Sequence, residues 1–285
     1  MSHQPTPFDR TALLDDFSIE VTARDGDRLT EAASSLPTGT RVNITALGTE
    51  DPTARLALAA SAHRAGLTPV LHLAARRLAD EQELRSELQA IQDQGTSSHV
   101  VVVGGDPRKP VGPYDSALSV MRTGLLAEHG VRDVGISGYP EGHPDIPRAM
   151  LAQALTDKVA LLESQGIEAT VVTQFSFDVD AVLGWVERVR DLGVEAPLRV
   201  GVPGPTSVKR LLAFARRCGV GTSAGVARKY GFSLGNLLTT AGPDAFVSAL
   251  GERLEAGRHG DVRIHLFAFG GPVGTAAWAR DYLAG

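Results

Sequence analysis

The sequence FSIEVT (17–22) places a carboxylate on one face of a predicted strand. Its apolar and polar residues alternate, so that Ile19 and Val21 share one face while Ser18 and Glu20 share the other. On a surface strand such a polar face is solvated, whereas an unpaired carboxylate inside a buried sheet is costly. A carboxyl group in a partly dry pocket is suited to general acid chemistry, because burial favours its protonated form. The role of Glu20 therefore depends on the sheet that contains this strand.

Polar and aromatic residues recur where other predicted strands end. If the strand ends lie together, these side chains can bind a small molecule or move a proton. The candidates are Thr45, His72, Asp106, Tyr139, Gln174, Phe175, His265 and Phe267. No two histidines have the i, i+4 spacing of a zinc-binding helix, so we predict no metal site.

The elements that must position these residues are eight short β-branched runs separated by segments of helical period. The runs are FSIEVT (17–22), RVNITA (41–46), PVLHLA (69–74), HVVVVG (99–104), DVGISG (133–138), ATVVTQF (169–175), LRVGVP (198–203) and RIHLFAF (263–269). Strand–helix alternation favours a parallel sheet, and eight strands in 285 residues favour a (β/α)8 TIM barrel. We predict a single domain over 1–285, with a flexible N-terminal extension at 1–14. The long gap before the last strand predicts extra helices at 225–236 and 243–257.

An open doubly wound sheet is the alternative fold. Such sheets usually have a G-x-G-x-x-G turn after an early strand, and the nearest match here, VVVGGDP, does not have that spacing. In a barrel the active site lies at the C-terminal ends of the strands. The polar strand faces then point into the barrel mouth, and Glu20 is predicted to lie on the inner face of the first strand.

Composition excludes several classes of partner and site. The net charge of −5 arises from mixed charges without a basic run, so nucleic acid is not an expected partner. Cys218 is the single cysteine, which excludes an internal disulfide. The N-terminal residues lack the pattern of a signal peptide, and no stretch has the roughly 20 apolar residues that span a bilayer. We therefore expect a cytoplasmic protein without a membrane partner; the sequence makes no prediction of the oligomeric state.

Several of these stretches together resemble the methylenetetrahydrofolate reductase family. The matching stretches, in order, are FSIEV, NIT, HL, VVVVGGD, GYPEGHP (138–144), VVTQFSFD (171–178), GVPGPTS (201–207) and IHLF (264–267). YPEGHP and TQFSFD are the more specific of these. The resemblance implies a (β/α)8 barrel that reduces 5,10-methylenetetrahydrofolate to 5-methyltetrahydrofolate with a reduced nicotinamide dinucleotide. We predict NADH as the donor, although the pattern fits NADPH equally.

The resemblance also implies roles for the strand-end residues. Glu20 would be the general acid that opens the five-membered ring of the substrate, and Asp106 would bind the pterin. Gln174 would bind the folate or the nicotinamide carboxamide, and Phe175 and Phe267 would form apolar walls of the substrate site. The remaining strand-end residues would contact the cofactor; they are Thr45, His72, Tyr139 and His265.

The flavin-binding positions of the family are not matched. Members that hold FAD have an arginine where Gly104 stands, and Lys158 lies outside the register of their L-K-x-K pattern. The chain therefore resembles the flavin-independent branch, in which NADH passes hydride directly to the substrate. An FAD-dependent reductase with ping-pong kinetics and a non-catalytic folate-binding barrel are the alternative functions.

Structural roles are the alternative for each candidate. Glu20 would then pair with an arginine such as Arg263, and Asp106 would cap a helix. Gln174 would bridge strand backbones, and the mouth histidines would bond to neighbouring loops. Lys158 would lie on a solvated helix face.

Overall fold

The computed structural model describes residues 11–48, 51–96, 98–218 and 240–285. The strands in these ranges are β1 (Ser18–Val21), β2 (Arg41–Ile44), β3 (Thr68–Ala74), β4 (His99–Val103), β5 (Asp133–Gly138), β6 (Glu168–Thr173), β7 (Leu198–Pro203), β8 (Thr206–Ser207), β9 (Thr240–Ala241) and β10 (Val262–Phe267). The helices are α1 (Gly26–Ala33), α2 (Pro52–Arg64), α3 (Glu81–Asp93), α4 (Ala117–Met121), α5 (Leu125–Glu128), α6 (Arg148–Ser164), α7 (Val179–Asp191), α8 (Val208–Cys218), α9 (Asp244–Gly251), α10 (Ala256–His259) and α11 (Pro272–Ala284).

Eight strands form a closed barrel in the order β1-β10-β7-β6-β5-β4-β3-β2. Every pair in this barrel is parallel. The predicted TIM barrel is therefore confirmed, and the open sheet is excluded. The short strands β8 and β9 form a separate antiparallel pair.

The predictions for the chain outside the barrel strands have different outcomes. The helix predicted at 243–257 is present as two shorter helices, α9 and α10, whereas the helix predicted at 225–236 lies outside the described residues. The extension predicted at 1–14 is wrong at its end: Leu13 and Leu14 are fully buried in the core because a 3₁₀ turn, Thr11–Leu13, folds them against the barrel. Residues 1–10 also lie outside the described residues.

Local signals in the sequence account for where the helices begin and end. Asp51, Asp80 and Asp178 are the N-caps of α2, α3 and α7, and each carboxylate accepts a backbone N–H of the first turn. Gly95 follows α3 with a positive φ of 69°, the left-handed conformation that commonly ends a helix and that glycine adopts without strain. The helices therefore start at the C-terminal ends of the strands, beside the barrel mouth.

The barrel strands divide their side chains between two environments. Outward-facing residues such as Ile19, Val42 and Ile264 are fully buried under the helices. Inward-facing residues are often polar; Asn43 and Thr170 are examples, and both are buried. The barrel interior is therefore a polar core that has to satisfy its own hydrogen bonds.

At the N-terminal end of the barrel, Asp133 is the centre of a buried polar cluster. Its carboxylate accepts bonds from Arg41 (2.6 Å) and from the Thr170 hydroxyl (2.9 Å), and His99 Nδ1 lies 3.4 Å away. Burial opposes the charge of Asp133, but the contacts with His99, Arg41 and Thr170 outweigh burial, and the pKa of this carboxyl lies below its ordinary value. This cluster joins strands β2, β4, β5 and β6 far from the barrel mouth, so it serves stability.

We expect Asp133→Asn to lower the free energy of unfolding by about 3 kcal/mol at pH 7, because it leaves Arg41 and His99 without their carboxylate. Since the folded pKa of Asp133 is depressed, its stabilisation is present above the unfolded pKa of about 3.9 and is lost as the pH falls through the folded pKa. Urea unfolding of both proteins should therefore show a difference that narrows as the pH is lowered from about 7 towards about 2.

Asp281→Asn is the matched control, because Asp281 also pairs with an arginine but its side chain is 69% exposed. Its change should stay below about 0.5 kcal/mol. An Asp133→Asn protein as stable as the wild type at pH 7 would contradict the structural role of the cluster.

Candidate active site

Glu20 lies near the C-terminal end of β1, on the inner face of the barrel. Parallel pairing of β1 with β10 places Ser18 opposite His265 and Glu20 opposite Phe267. Ser18 Oγ and His265 Nδ1 are 2.8 Å apart, and His265 Nε2 lies 3.4 Å from Glu20 Oε2. Ser18 and His265 are fully buried, whereas the Glu20 side chain is 17% exposed. Three polar side chains thus lead from the barrel interior to its mouth.

This Ser18–His265–Glu20 chain can hold a proton in two places. If Nδ1 of His265 accepts the Ser18 hydroxyl, Nε2 carries the ring proton and donates to the Glu20 carboxylate. If Nε2 is unprotonated, it can accept the proton of a neutral Glu20 carboxyl. In both states the buried groups keep hydrogen-bond partners, so Glu20 can lose or regain a proton without leaving a buried polar atom unpaired.

His72 lies on the other side of Glu20, on β3. Its Nε2 is 3.8 Å from Glu20 Oε2. Burial lowers the pKa of His72 to about 4; the Glu20 carboxylate opposes this shift, while the charges of His265 and Arg55 add to it. His72 is therefore neutral at pH 7. Its Nε2 is buried and has no hydrogen-bond partner among the described residues.

Aromatic rings line the side of the mouth formed by β6, β7 and β10. Phe267 is 9% exposed, and its ring centroid lies 5.5 Å from that of Phe175 and 5.4 Å from that of Phe269. A Cβ on Gly201 would lie 2.7 Å from the Phe267 ring, so only glycine leaves room for the ring there. Phe175 is 1% exposed, which means that it supports the predicted wall from behind more than it faces a ligand.

Asp106 and Gln174 lie just past the C-terminal ends of β4 and β6. The Asp106 carboxylate is 76% exposed and accepts a bond of 2.5 Å from Arg77. Gln174 is half-buried, and its side-chain oxygen accepts the backbone N–H of Phe175 at 3.1 Å. These partners differ from those of Glu20, so one substrate would have to reach all three side chains to contact them together.

Thr45 and Tyr139 occupy the ends of β2 and β5. The Thr45 hydroxyl donates to the carbonyl of Val21 at 3.3 Å, which closes the seam between β1 and β2. Tyr139 is half-buried, and burial raises the pKa of its phenol. Its ring contacts His143 edge-on, with centroids 5.4 Å apart. Tyr139 therefore keeps its proton and can donate it in a hydrogen bond.

Sequence reasoning did not assign roles to three residues at this mouth. Ser18 lies on the same inner face as Glu20, and this shared face is the feature of the sequence that could have indicated its contact with His265. Glu141, in YPEGHP, accepts the Ser176 hydroxyl at 2.6 Å and so connects the two most specific motifs of the chain. The contact of Arg77 with Asp106 depends on two loops, and no pattern in the sequence indicates it.

The arrangement supports proton transfer to a bound molecule next to an apolar wall. The described residues contain no group of three or more His, Cys, Asp or Glu side chains placed to bind a metal ion. Over the same ranges, no helix is both long enough and apolar enough to cross a bilayer.

Comparisons with known proteins indicate the same family as the strand-end motifs. A family model described as methylenetetrahydrofolate reductase matches residues 23–230. A 5,10-methylenetetrahydrofolate reductase of Pectobacterium carotovorum is 31% identical over 153 residues, which are 53% of this chain and 49% of that protein. A rice protein named probable methylenetetrahydrofolate reductase (NADH) is 26% identical over 164 residues, which are 53% of this chain and 26% of that protein. The chain thus spans about half or less of these relatives.

A solved structure supports the fold alone. Dihydropteroate synthase from Thermus thermophilus superimposes with a TM-score of 0.51 over 95% of this chain and 93% of that chain, at 14% identity. This similarity supports the barrel fold and carries no information about function.

We expect the neutral state of His72 to produce a pH dependence of stability. Between about pH 6.5 and pH 4 the unfolded histidine binds a proton that the folded one does not, so stability falls as the pH is lowered through this window. The slope from this one group is at most about 1.4 kcal/mol per pH unit. Urea unfolding at about pH 7 and pH 4.5 should therefore show a smaller loss for His72→Gln than for the wild type.

His63→Gln is the control, because His63 is exposed on α2. Its pH dependence should follow the wild type. Equal losses in His72→Gln and the wild type would mean that His72 is not held neutral in the folded protein.

Proposed function

Because the chain belongs to the methylenetetrahydrofolate reductase family, we propose that it reduces 5,10-methylenetetrahydrofolate to 5-methyltetrahydrofolate with hydride from NADH. The observation that carries this proposal is the position of Glu20, partly buried between two histidines at the C-terminal end of the barrel. The match to the family model begins after Glu20, so its assignment rests on the geometry of the mouth and on the strand motif.

Glu20 would supply the proton that the reaction needs. The one-carbon unit of the substrate bridges N5 and N10, and it accepts hydride poorly until the ring opens. Protonation of N10 by the Glu20 carboxyl breaks the bond between N10 and the bridging carbon, and an N5 iminium cation remains. Hydride from C4 of the dihydronicotinamide then adds to this carbon and gives the N5 methyl group and the oxidised dinucleotide. The proton and the hydride together account for the two-electron reduction.

The groups around Glu20 suit this sequence of charges. After protonating N10, Glu20 is a carboxylate beside a cation, which it stabilises electrostatically. Nε2–H of His265 can donate to that carboxylate. A neutral His72 adds no positive charge next to the iminium, whereas a protonated His72 would repel it.

The residues fit FAD poorly. Family members that hold FAD have an arginine at the position of Gly104, and here a Cβ would meet nothing within 4 Å. Lys158 is half-buried on α6, and burial lowers the pKa of its amine. The prediction that Lys158 lies on a solvated helix face is therefore wrong. Arg108 and Lys109 are exposed. At the flavin position of the family, a pyrophosphate without its arginine and lysine partners loses charge-assisted bonds of about 1.5–3 kcal/mol each. No step of the proposed reaction uses FAD, and the name of the rice relative favours NADH.

A non-catalytic folate-binding barrel is the alternative from another class of function. A binding protein would need the aromatic wall and Asp106, but it would not need a carboxyl with a buried histidine behind it. The Ser18–His265–Glu20 chain therefore favours the enzyme.

We expect Glu20→Gln to lower kcat by about 100- to 10,000-fold, the usual contribution of a general acid. Folate affinity should change little, because glutamine keeps the size of the side chain and one acceptor oxygen, and its NH2 group can donate as a protonated carboxyl would. Steady-state rates and equilibrium binding of 5-methyltetrahydrofolate would measure the two effects separately. Glu252→Gln, on an exposed residue after α9, is the control. Near-normal turnover of Glu20→Gln would remove Glu20 from the reaction.

Direct hydride transfer predicts sequential kinetics from a colourless protein. Without a flavin no group stores the hydride, so NADH and methylenetetrahydrofolate must be bound at once, with the reacting atoms about 3–3.5 Å apart. Varying both substrates should give intersecting double-reciprocal lines, and added FAD should not increase the rate. Parallel lines, or a yellow protein that loses activity with its flavin, would favour the FAD-dependent alternative.

A further inference from the structure

Arg77 is the last residue of a 3₁₀ turn, Ala75–Arg77, that follows β3 at the barrel mouth. Its guanidinium lies against the backbone of Gly48, where a Cβ built on that glycine would overlap both Nη1 and Nη2. Its Nη2 donates to Asp106 Oδ1 at 2.5 Å. One half-buried cation therefore joins the loops that follow β2, β3 and β4.

The donors of Arg77 are incompletely used among the described residues. A guanidinium has five N–H donors. The Nε of Arg77 is buried and has no hydrogen-bond partner within the described ranges. Its neighbour Arg76 differs, since its Nε donates to the carbonyl of Asp115 at 2.7 Å and fixes the loop. Arg77 is thus held in place at this rim, and only part of its donor set has a partner among the described residues.

The acceptor that Arg77 has now is a weak one. The Asp106 side chain is 76% exposed, so its ion pair with Arg77 is screened by water. A phosphate group offers more acceptor oxygens and matches the planar guanidinium with two parallel bonds. Exchange of a solvated carboxylate for a phosphate on Arg77 is therefore favourable.

Resting on the proposed function, we propose that Arg77 binds the pyrophosphate of the dinucleotide, and that this phosphate displaces Asp106 and frees its carboxylate for the pterin. Asp106 thus pairs with Arg77 while the dinucleotide is absent and binds folate once the phosphate has taken its place. Binding of one substrate would strengthen binding of the other by the same factor, because the coupling between two sites is reciprocal.

The geometry favours the dinucleotide over the glutamate tail of folate as the source of the anion. If Asp106 on the β4 side binds the pyrimidine ring, Glu20 on the β1 side must reach the one-carbon bridge. The aminobenzoyl-glutamate extends beyond that bridge, further from Arg77. The anion that reaches Arg77 is then the one from the second substrate.

ADP-ribose is a suitable probe, because it has the pyrophosphate of NADH but cannot transfer hydride. Calorimetry should show that Arg77→Gln weakens ADP-ribose binding by at least about tenfold, the scale of one lost charge-assisted bond. Arg77→Lys should lie between, because an ammonium keeps the charge without the planar pair of donors. Asp106→Asn should have the opposite effect and strengthen ADP-ribose binding several-fold, because it removes the carboxylate that competes for Arg77.

Arg85→Gln is the matched control, since Arg85 on α3 is also ion-paired, but its acids are Glu81 on α3 and Glu128 on α5 and not Asp106. It should leave ADP-ribose binding unchanged. Saturating ADP-ribose should also tighten 5-methyltetrahydrofolate in the wild type, and this synergy should vanish in Arg77→Gln and in Asp106→Asn. Thermal midpoints of the variants establish that each is folded.

If the folded Arg77→Gln protein bound ADP-ribose as tightly as the wild type, Arg77 would not be the phosphate site. This conclusion would hold even if the protein oxidises NADH. Weaker ADP-ribose binding by Asp106→Asn would overturn the competition between the carboxylate and the phosphate. FAD contains the same pyrophosphate, so an Arg77-dependent affinity for FAD above that for NADH would overturn NADH as its source. Failure of NADH to reduce methylenetetrahydrofolate would refute the proposed function, while Arg77-dependent ADP-ribose binding would still support the site.

Discussion

Closure of the sheet into a barrel constrains every other feature of this protein. Because side chains alternate along a strand, each barrel strand gives one face to the helices and the other to the interior. The helix face takes the aliphatic residues, of which Ile19, Val42 and Ile264 are fully buried. The polar residues are left for a closed space with little water, where each must find a partner or lose free energy. The site is the part of this polar interior that remains open at one end.

The two ends of the interior satisfy this constraint in different ways. At the closed end, Asp133 has Arg41, Thr170 and His99 as partners, so its charge is compensated within the protein. At the open end, Glu20 has the longer contacts with His265 and His72, at 3.4 and 3.8 Å. The carboxylate at the closed end thus has three close partners, whereas the carboxylate at the open end has two longer ones and faces the mouth.

The sequence predicted what depends on local periodicity. The period-two alternation of FSIEVT and RIHLFAF is sufficient to assign Glu20, His265 and Phe267 to inner faces, and eight such runs imply the barrel. The contact between Ser18 and His265 required more, because these residues are 247 positions apart and meet only when the first and last strands pair. The Arg77–Asp106 pair could not be predicted, because loop conformations and long side chains decide it. The near-complete burial of Phe175 could not be predicted either, because it depends on the packing of Phe267 and Phe269 around it.

The positions of His72, Glu20 and Arg77 determine where charge lies in the mouth. This distribution of charge constrains how a hydride donor could bind. The iminium cation of the proposed reaction would require an anionic or neutral surrounding, and the buried His72 is neutral because ionising it without full hydration is costly. The cation Arg77 is instead at the rim of the mouth, where it is joined to Asp106 across two loops. This separation suits a donor whose charged phosphates stay at the rim while its uncharged dihydronicotinamide enters the neutral interior. The mouth could then bind the anionic phosphates at its rim and form the substrate cation beside Glu20, without Arg77 destabilising that cation.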